Sequence, residues 1–358
     1  MTDQPVRFGI VGAGFAAQKM NLPALAEIPG ARAVAIADTN EARAREVAAA
    51  SDVPRAYGSY EAMLKDGELD VVIVNTPNAL HAPVAEAALA AGCHVVVEKP
   101  MARNADEAAR LAAFAQQRGL LLGVDLHLRY TPLFQAAHAL TSSGRLGEIY
   151  HVRAMLWRRN GIPGYGSWFT TAALSGGGAL LDIGSHMLDL ALWLSGEPAV
   201  RSVSAVTSDR LGRAGVGRGG WGIDRNTGTT FDVDDSVSAF IRCANGALIN
   251  LDVAWAAHSA DNDGQVHLLG SEAGLLASYG HNPAKLELYT ERDGQPVTLP
   301  QAIPAGEPSH RALLRGFVAA VRGEGPVPVP AVDGVRLARL SDAIYASARA
   351  GQEIELGD

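Results

Sequence analysis

The first third of the chain alternates short apolar runs with alanine-rich amphipathic stretches, and this alternation restricts the fold more than any other feature. Five runs between residues 6 and 126 have the composition of buried strands: RFGIVGAG, AVAIAD, LDVVIVNTP, HVVVEKP and LLLGVDL. Strands that are nearly all apolar and are linked by helices predict a parallel sheet covered on both faces. Because such crossovers are right-handed, a doubly wound α/β sheet is the expected topology.

The turn after the first strand has the pattern G-x-G-x-x-A, with Gly12, Gly14 and Ala17 at the motif positions and Phe15 and Ala16 between them. It follows the strand FGIV and opens a helix, which is the context in which such a turn binds a dinucleotide pyrophosphate. The first glycine permits the tight turn, the second lets the phosphate approach the backbone, and the alanine allows close helix–strand packing. The turn therefore predicts a dinucleotide-binding domain.

The end of the second strand carries Asp38, at the spacing where a carboxylate binds the ribose 2′-hydroxyl. Capping of the next helix is the alternative role for this residue. A carboxylate here repels the additional 2′-phosphate of NADP, and Thr39 and Asn40 follow in place of an arginine that would bind it. We expect NAD as the cofactor, with NADP disfavoured.

Two polar segments, TPNALH at residues 76–81 and EKP at residues 98–100, end the next two apolar runs. Ligands of open parallel sheets bind over the carboxyl ends of the strands. Both segments are therefore expected beside the nicotinamide half of the cofactor. The residues expected to line it in the first segment are Thr76, Pro77, Asn78 and His81, of which the histidine is not expected to react.

Beyond residue 126 the pattern changes to longer strands with period-two alternation, joined by turns such as ANGA and RDGQP. Such alternation predicts a mostly antiparallel, open sheet in an α+β domain. The expected domains are a dinucleotide-binding domain at 1–125 and a substrate-binding and oligomerisation domain at 126–358. An open sheet without helical cover on one face is a natural homodimer or homotetramer surface.

The segment SGGGALLDIGSHMLDLALWLSG places Asp182, His186 and Asp189 at positions i, i+4 and i+7 of a helix, which share one face. The other positions are apolar, so this polar face is expected to be partly buried. A core histidine satisfied by a carboxylate is one interpretation, and general acid–base chemistry beside a cofactor is the other. No metal site is predicted, because His127 is the only further ligand candidate.

The composition excludes several function classes. The formal charge is −8 and the 30 basic residues are scattered, which disfavours nucleic acid and anionic membranes as partners. No apolar run approaches the roughly 18 residues of a membrane span, and no targeting leader is recognised. Cys93 and Cys243 lack the spacing of a disulfide framework. We expect a soluble, cytoplasmic protein.

Taken together, the motifs G-x-G-x-x-A, TPNALH, EKP, RYTP at residues 129–132 and GGG-x-x-x-D-x-x-x-H occur in this order along nearly the whole chain. In this combination the sequence resembles the Gfo/Idh/MocA oxidoreductases, the glucose–fructose oxidoreductase and inositol dehydrogenase family. The resemblance implies a Rossmann domain followed by an α/β domain with a large open sheet, paired into dimers or tetramers. It also implies nicotinamide-dependent oxidation or reduction of a ring hydroxyl in a sugar, sugar derivative or cyclitol.

The resemblance assigns roles to individual residues. The family's catalytic lysine falls on Lys99, and its acid–base pair falls on Asp182 and His186. Glu98 matches the acid that contacts the nicotinamide ribose, and the Lys99–Pro100 peptide is expected to be cis. The candidates for substrate contacts are Lys99, His127, Arg129, Arg158, Tyr165, Trp168, Asp182 and His186, and His127 departs from the small polar residue of many relatives. Arg158, Tyr165 and Trp168 are candidates because of their place in the loop before the GGG helix, and a solvated loop with one anchoring tryptophan is the alternative.

Three alternatives use the same fold. A ketoreductase of a modified-sugar pathway has the same site residues and works in the reducing direction. An NAD-dependent glycosidase oxidises the sugar only transiently. A sensor that binds a dinucleotide and a partner protein does not need the lysine, the aspartate and the histidine together. The glycine-rich segment 211–222 is either a surface loop or a lid over the substrate.

Overall fold

A computed structural model describes residues 4–220, 231–279 and 283–357 of the chain. The chain forms two compact units. The first contains Met1–Tyr130 and Glu307–Ala338, and the second contains Thr131–Gly306 and Arg339–Asp358.

The first unit is built on a six-stranded parallel sheet with the order β3-β2-β1-β4-β5-β6. This confirms the predicted doubly wound sheet. Its strands are β1 (Val6–Val11), β2 (Ala31–Ala37), β3 (Arg55–Tyr57), β4 (Val71–Val74), β5 (His94–Glu98) and β6 (Leu122–Asp125). Its helices include α1 (Leu22–Ala26), α2 (Glu41–Ala50), α3 (Tyr60–Lys65), α4 (His81–Ala90) and α5 (Ala105–Arg118). The sequence patterns missed β3, because RAY contains no apolar run.

The strand order places the predicted motifs at one edge of this sheet. The central strands are fully buried, as Ile10, Val72 and Val96 are 0% exposed. The chain runs outward from β1 to β3 and then returns to β4 on the other side of β1, which creates a crevice at the carboxyl ends. The glycine turn, Asp38, TPNALH and EKP all follow strand ends at this edge.

The second unit is built on a nine-stranded sheet with the order β14-β13-β12-β11-β7-β10-β9-β8-β15. Only the β7–β10 pair is parallel among its described strand pairs. The strands are β7 (Ile149–Trp157), β8 (Val200–Ser208), β9 (Ser236–Cys243), β10 (Leu248–Ala254), β11 (Asp263–Gly270), β12 (Gly274–Tyr279), β13 (Lys285–Arg292), β14 (Gln295–Pro300) and β15 (Ile354–Glu355). The helices are α6 (Pro132–Ser142), α7 (Ala172–Ser175), α8 (Ser185–Leu194) and α9 (Arg210–Arg213).

The predicted mostly antiparallel sheet and both of its hairpins are confirmed. β9 and β10 are joined at ANGA, where Gly246 has φ +86°. β13 and β14 are joined through Asp293 and Gly294, with φ +53° and +75°, the positive values that a tight two-residue hairpin turn requires. The sequence patterns missed β12 and α6.

Two further helices lie between β14 and β15 in the chain, α10 (Ser309–Val321) and α11 (Ala331–Ala350). The segment before α11 returns to the first unit, where the Val124 amide donates to the Val329 carbonyl at 3.0 Å. The ring of Phe317 lies so close to Gly123 that an added Cβ would be 2.9 Å from it. The predicted single boundary near residue 125 did not include this return, because spacing along the chain carries no information about which earlier strand a late helix covers.

Both cysteines, Cys93 and Cys243, are buried and free. In the part of the chain that the structure describes, every helix is too short or too polar to cross a membrane.

Candidate active site

The glycine turn has the geometry that its motif predicts. Gly12 has φ +97°, and a Cβ added there would lie 2.5 Å from the carbonyl oxygen of Asn75. At Gly14, an added Cβ would meet nothing within 4 Å. Ala17 is fully buried, on a π-helical turn (Ala17–Asn21) that continues into α1, whereas Phe15 is 53% exposed and Ala16 half-buried. The space beside Gly14 is therefore open to a ligand, while Gly12 is required by the backbone.

The Asp38 carboxylate supports this turn. Its Oδ2 accepts a hydrogen bond from the Ala13 amide and its Oδ1 accepts one from the Asn40 amide, both at 2.8 Å. An ionised carboxylate has about four acceptor positions, so two bonds leave capacity for a ribose hydroxyl. The helix cap is Asn40 itself, whose side chain accepts from the Arg43 amide. Asn40, and not Asp38, therefore caps α2.

His81 lies inside the first unit and joins the loops that follow β4 and β5. It is 1% exposed. Its Nδ1 lies 2.7 Å from the carbonyl oxygen of Pro100, and its Nε2 lies 2.8 Å from that of Thr76. Burial lowers the pKa of His81, although both carbonyl groups favour the charged ring. These contacts indicate that His81 supports the two loops. Of the other residues in the segment, Asn78 is buried, and Thr76 and Pro77 are half-buried.

The end of β5 presents Glu98 and Lys99, both half-buried, and the Lys99–Pro100 peptide is cis as the resemblance implies. Glu98 is the strand neighbour of Asp125 at the end of β6. Together with His310 of α10, these carboxylates bring three potential ligand atoms within 4.8 Å of one another. The sequence patterns predicted neither Asp125 nor His310, because nothing in their local sequence marks them.

The two basic substrate candidates that follow β6 have protein partners. The Nδ1 of His127 lies 3.0 Å from the Ser309 hydroxyl, and its ring stacks on His310 at 3.8 Å. Arg129 is 6% exposed and forms an ion pair with Asp333 at 2.9 Å. A substrate contact of either residue stays a prediction. Arg129 also has a structural role, because its ion pair with Asp333 is buried.

In the second unit, close contacts explain the glycines before α8. A Cβ added at Gly177 would overlap the Tyr345 hydroxyl, and one added at Gly178 would overlap the Asp234 carbonyl oxygen. The Asp234 carboxylate accepts hydrogen bonds from the Gly178 amide at 2.8 Å, the Leu180 amide at 2.9 Å and the Tyr345 hydroxyl at 2.7 Å. Asp234 thereby holds the start of the helical segment that carries Asp182 and His186.

That segment begins with a π-helical turn (Leu180–Gly184) and continues as α8. Such turns are rare and are frequent at functional sites. The Asp182 side chain is 10% exposed and its Oδ2 accepts a hydrogen bond from the Trp255 indole at 2.7 Å. The guanidinium of Arg158 lies 3.8 Å from the same oxygen. His186 and Asp189 are 8% and 1% exposed, so the polar face is buried as predicted.

The remaining substrate candidates lie on the segment before α7. The Tyr165 hydroxyl donates to the Gly212 carbonyl at 2.8 Å, and the Arg218 guanidinium lies 4.4 Å from the centre of the Tyr165 ring. Trp168 stacks on Phe169 at 3.7 Å. Tyr165 thus anchors the described part of the glycine-rich segment. Trp221 and Gly222, at its end, lie outside the described residues.

Comparison with known proteins covers both units. A family model described as the oxidoreductase family with an NAD-binding Rossmann fold, Gfo/Idh/MocA, matches residues 6–126, and the C-terminal domain model of the same family matches residues 134–276. The chain is 33% identical to D-glucoside 3-dehydrogenase of Escherichia coli K12, with 99% of each chain covered. It is 31% identical to D-xylose 1-dehydrogenase (NADP(+)) 2 of Haloferax volcanii, over 98% of this chain and 99% of that protein. The structure of levoglucosan dehydrogenase in complex with NADH and levoglucosan matches with a TM-score of 0.85 and 25% identity, over 99% of this chain and 100% of that one.

Proposed function

Because the chain belongs to the Gfo/Idh/MocA oxidoreductase family, we propose that it is a nicotinamide-dependent dehydrogenase of a ring hydroxyl in a monosaccharide, a sugar derivative or a cyclitol. The observation that carries this proposal is the helical segment that bears Asp182 and His186: Asp234 holds its start and Trp255 holds the Asp182 carboxylate. A carboxylate and an imidazole fixed in this way are suited to proton transfer. The names of the similar proteins support a sugar-like substrate.

In the proposed reaction, His186 takes the proton of the substrate hydroxyl, and Asp182 orients the imidazole and stabilises its charged form. The Trp255 indole donates a hydrogen bond to Asp182, and the Arg158 guanidinium lies near the same oxygen; both contacts help to keep the carboxylate oriented. Lys99 stabilises the negative charge that develops on the substrate oxygen. A bound nicotinamide ring would supply the acceptor for the hydride that leaves the substrate carbon.

The residues of the first unit fit such a cofactor. The open space beside Gly14 suits the approach of a pyrophosphate to the backbone. The carboxylate of Asp38 supports NAD over NADP, because it accepts a hydrogen bond from a ribose hydroxyl and repels a 2′-phosphate. One of the similar proteins carries NADP in its name, so family membership alone does not select the cofactor. The preference for NAD is proposed for this chain because of Asp38.

The test of the function is a panel of monosaccharides, sugar acids, glycosides and cyclitols such as inositols, with NAD and NADP, monitored by nicotinamide absorbance. Reduction of NAD by at least one member of the panel is the expected result. The same panel of ketones with NADH tests the ketoreductase alternative, and product analysis identifies the glycosidase, which accumulates no NADH. A strong preference for NADP would contradict the role of Asp38.

Substitution of Gly14 by alanine should weaken NAD(H) binding at least about tenfold, which corresponds to about 1.4 kcal/mol. The added methyl group occupies the space that the pyrophosphate needs, yet it touches no atom of the protein. The free energy of unfolding should therefore change by less than about 0.5 kcal/mol. Calorimetric titration with NADH and urea unfolding measure the two quantities.

The matched control is Gly12→Ala, which affects the same turn through the protein itself. Its positive φ and its contact with the Asn75 carbonyl predict a loss of about 1–3 kcal/mol of stability. Equal stability losses in the Gly12 and Gly14 variants would contradict the assignment of Gly14 to the cofactor.

We also propose that the chain forms homodimers or homotetramers through the open face of the nine-stranded sheet. Val206, Phe240 and Trp157 are 66%, 37% and 38% exposed, and the strand register places them on the same face. Light scattering should give a multiple of the 37.4 kDa chain mass. Val206→Asp should reduce that multiple, whereas Val332→Asp, at an exposed position on α11, should not. A monomer mass for the unmodified protein would overturn the proposal.

A cytoplasmic location fits this function, because the dinucleotide and the reduced state of the two free cysteines are both typical of that compartment. It stays a prediction.

A further inference from the structure

The strand ends of β5 and β6 hold two neighbouring carboxylates that the proposed mechanism does not use, a half-buried Glu98 and a buried Asp125. Glu98 and Asp125 are neighbours in the parallel register, and their oxygens lie within 4.8 Å of each other and of a ring nitrogen of His310. Asp125 is 1% exposed. Two adjacent buried negative charges are costly unless a cation or a proton compensates them.

Asp125 has few compensating contacts. Within residues 4–220, 231–279 and 283–357, neither of its carboxylate oxygens has a hydrogen-bond partner. The Nε2 of His310 lies 3.8 Å from Oδ2, beyond hydrogen-bonding distance. The negative charge of a carboxylate enclosed by protein is therefore poorly compensated, and a bound proton would neutralise it.

The charged and titratable groups around the pair come from several elements. Lys99 follows Glu98 at the end of β5, His310 lies on α10, and His127 stacks on His310 from the turn after β6. Burial raises the pKa of both carboxyl groups to about 7, while the charge of Lys99, and for Asp125 also the nearby Asn21 side chain, lower it. Burial lowers the pKa of His310, which favours its neutral ring. Because the ammonium group of Lys99 already acts on both carboxylates, a proton is favoured over a divalent cation.

The pair lies on the nicotinamide side of the sheet. The glycine turn follows β1 and Asp38 follows β2, which assigns the adenosine half of a dinucleotide to the β1–β2 side. The other half then extends across the ends of β4 and β5, where Glu98 stands. The oxidised nicotinamide ring carries a positive charge and the reduced ring does not.

We propose that Glu98 and Asp125 share one proton in the cofactor-free protein, that binding of NAD⁺ expels this proton, and that binding of NADH retains it. The inference rests on the proposed function, since it requires that the chain binds a nicotinamide cofactor. In the binding step, one carboxylic acid and one carboxylate become two carboxylates, and one proton passes to the solvent. No bond in the cofactor changes. Asp125 is accordingly a positioning residue that matches the charge of the site to the redox state of the cofactor.

The test is calorimetric titration of the full-length protein with NAD⁺ and with NADH at pH 7, each in phosphate and in Tris. Because these buffers differ in ionisation enthalpy, the difference in binding heat counts the protons released. About half a proton should be released per NAD⁺, since a group with a pKa near 7 is half protonated at this pH. NADH, which differs in the ring charge, should release close to none, and so should ADP-ribose, which has no ring.

Asp125→Asn should reduce the release by NAD⁺, because asparagine cannot hold the shared proton and no longer raises the pKa of Glu98 through its charge. Glu98→Gln should do the same, and Glu46→Gln, at an exposed position on α2, should leave it intact. Equal proton release by NAD⁺ and NADH, or undiminished release in both pair variants, would overturn the inference. The proposed function would still stand in that case, because NAD⁺ binds. If neither NAD nor NADP binds, the proposed function fails as well.

Thermal unfolding between pH 4 and pH 9 is a second readout. The folded-state pKa values lie above the ordinary 3.8 and 4.5, so the folded protein holds the proton more tightly. Its contribution to stability is complete below about pH 4 and is lost as the pH rises to about 7. The Tm of Asp125→Asn relative to the unmodified protein should therefore rise between pH 5 and pH 8. A flat difference, or a stoichiometric divalent metal that is lost in Asp125→Asn, would reject the shared proton.

Discussion

Alanine at Lys99 or at His186 should lower kcat by about 10²–10⁴ while NADH binding is retained. A single general base is typically worth this factor, and removal of one donor to a developing oxyanion costs about 10²–10³. His186 is the proposed base, and it stands on a helix whose start is held by Asp234. Lys99 is the proposed oxyanion donor, and it follows β5 on a separate unit. The two substitutions remove different proposed contributions, so either one alone should be severe.

The measurement is steady-state turnover of the best substrate of the panel, together with calorimetric titration of NADH. Lys65→Ala, at an exposed position on α3, is the matched control and should leave both unchanged. If kcat of both alanine variants stayed within a factor of three of the unmodified enzyme, the catalytic assignment would be wrong. A loss of NADH binding in His186→Ala would instead indicate a structural effect.

The second large effect is expected for Gly178→Ala. The added Cβ would overlap the backbone oxygen of Asp234, and a backbone atom in a sheet-flanking segment has little freedom to move. Overpacking typically costs about 1–3 kcal/mol and occasionally more, and we expect a value near 3 kcal/mol. The shift would also displace the helix start that carries Asp182, so kcat should fall in the protein that still folds.

Urea unfolding measures this stability loss. Gly325→Ala is the control, because an added Cβ there meets nothing within 4 Å, and its effect should stay within about 0.5 kcal/mol. A stable and fully active Gly178→Ala protein would refute the view that Asp234 positions the catalytic helix. Asp234→Asn should give an intermediate loss, since the amide oxygen can keep the two hydrogen bonds that Oδ1 accepts but the amide nitrogen cannot accept the third.

Much of the candidate site was predictable because its residues occur in local motifs. The glycine turn, Asp38 and Lys99 each follow an apolar run, and the parallel sheet brings such positions to one edge. Asp182 and His186 are four positions apart on one helical segment, so their shared face follows from helical periodicity. The change from all-apolar strands to alternating ones after residue 126 likewise predicted the second sheet.

The supporting residues were not predictable in this way. Trp255 donates to Asp182 across 73 positions, and Tyr345 donates to Asp234 across 111 positions. A buried tryptophan usually needs an acceptor for its indole N–H. The sequence therefore indicates that an acceptor exists, but it does not identify the residue. Asp125 and His310 lie on the two separate chain segments that form the first unit, and neither residue is part of a recognisable motif.

The sequence by itself determined most of the strands and helices and which motif side chains stand at strand ends, because hydrophobic periodicity and motif spacing are local properties. Only the tertiary structure decided which distant residues fix those side chains and which buried charges lie together. Burial and the pairing of Glu98 with Asp125 depend on strand register and on the return of α10 to the first sheet. Contacts of that kind join positions whose separation along the chain has no preferred value, so no local pattern encodes them.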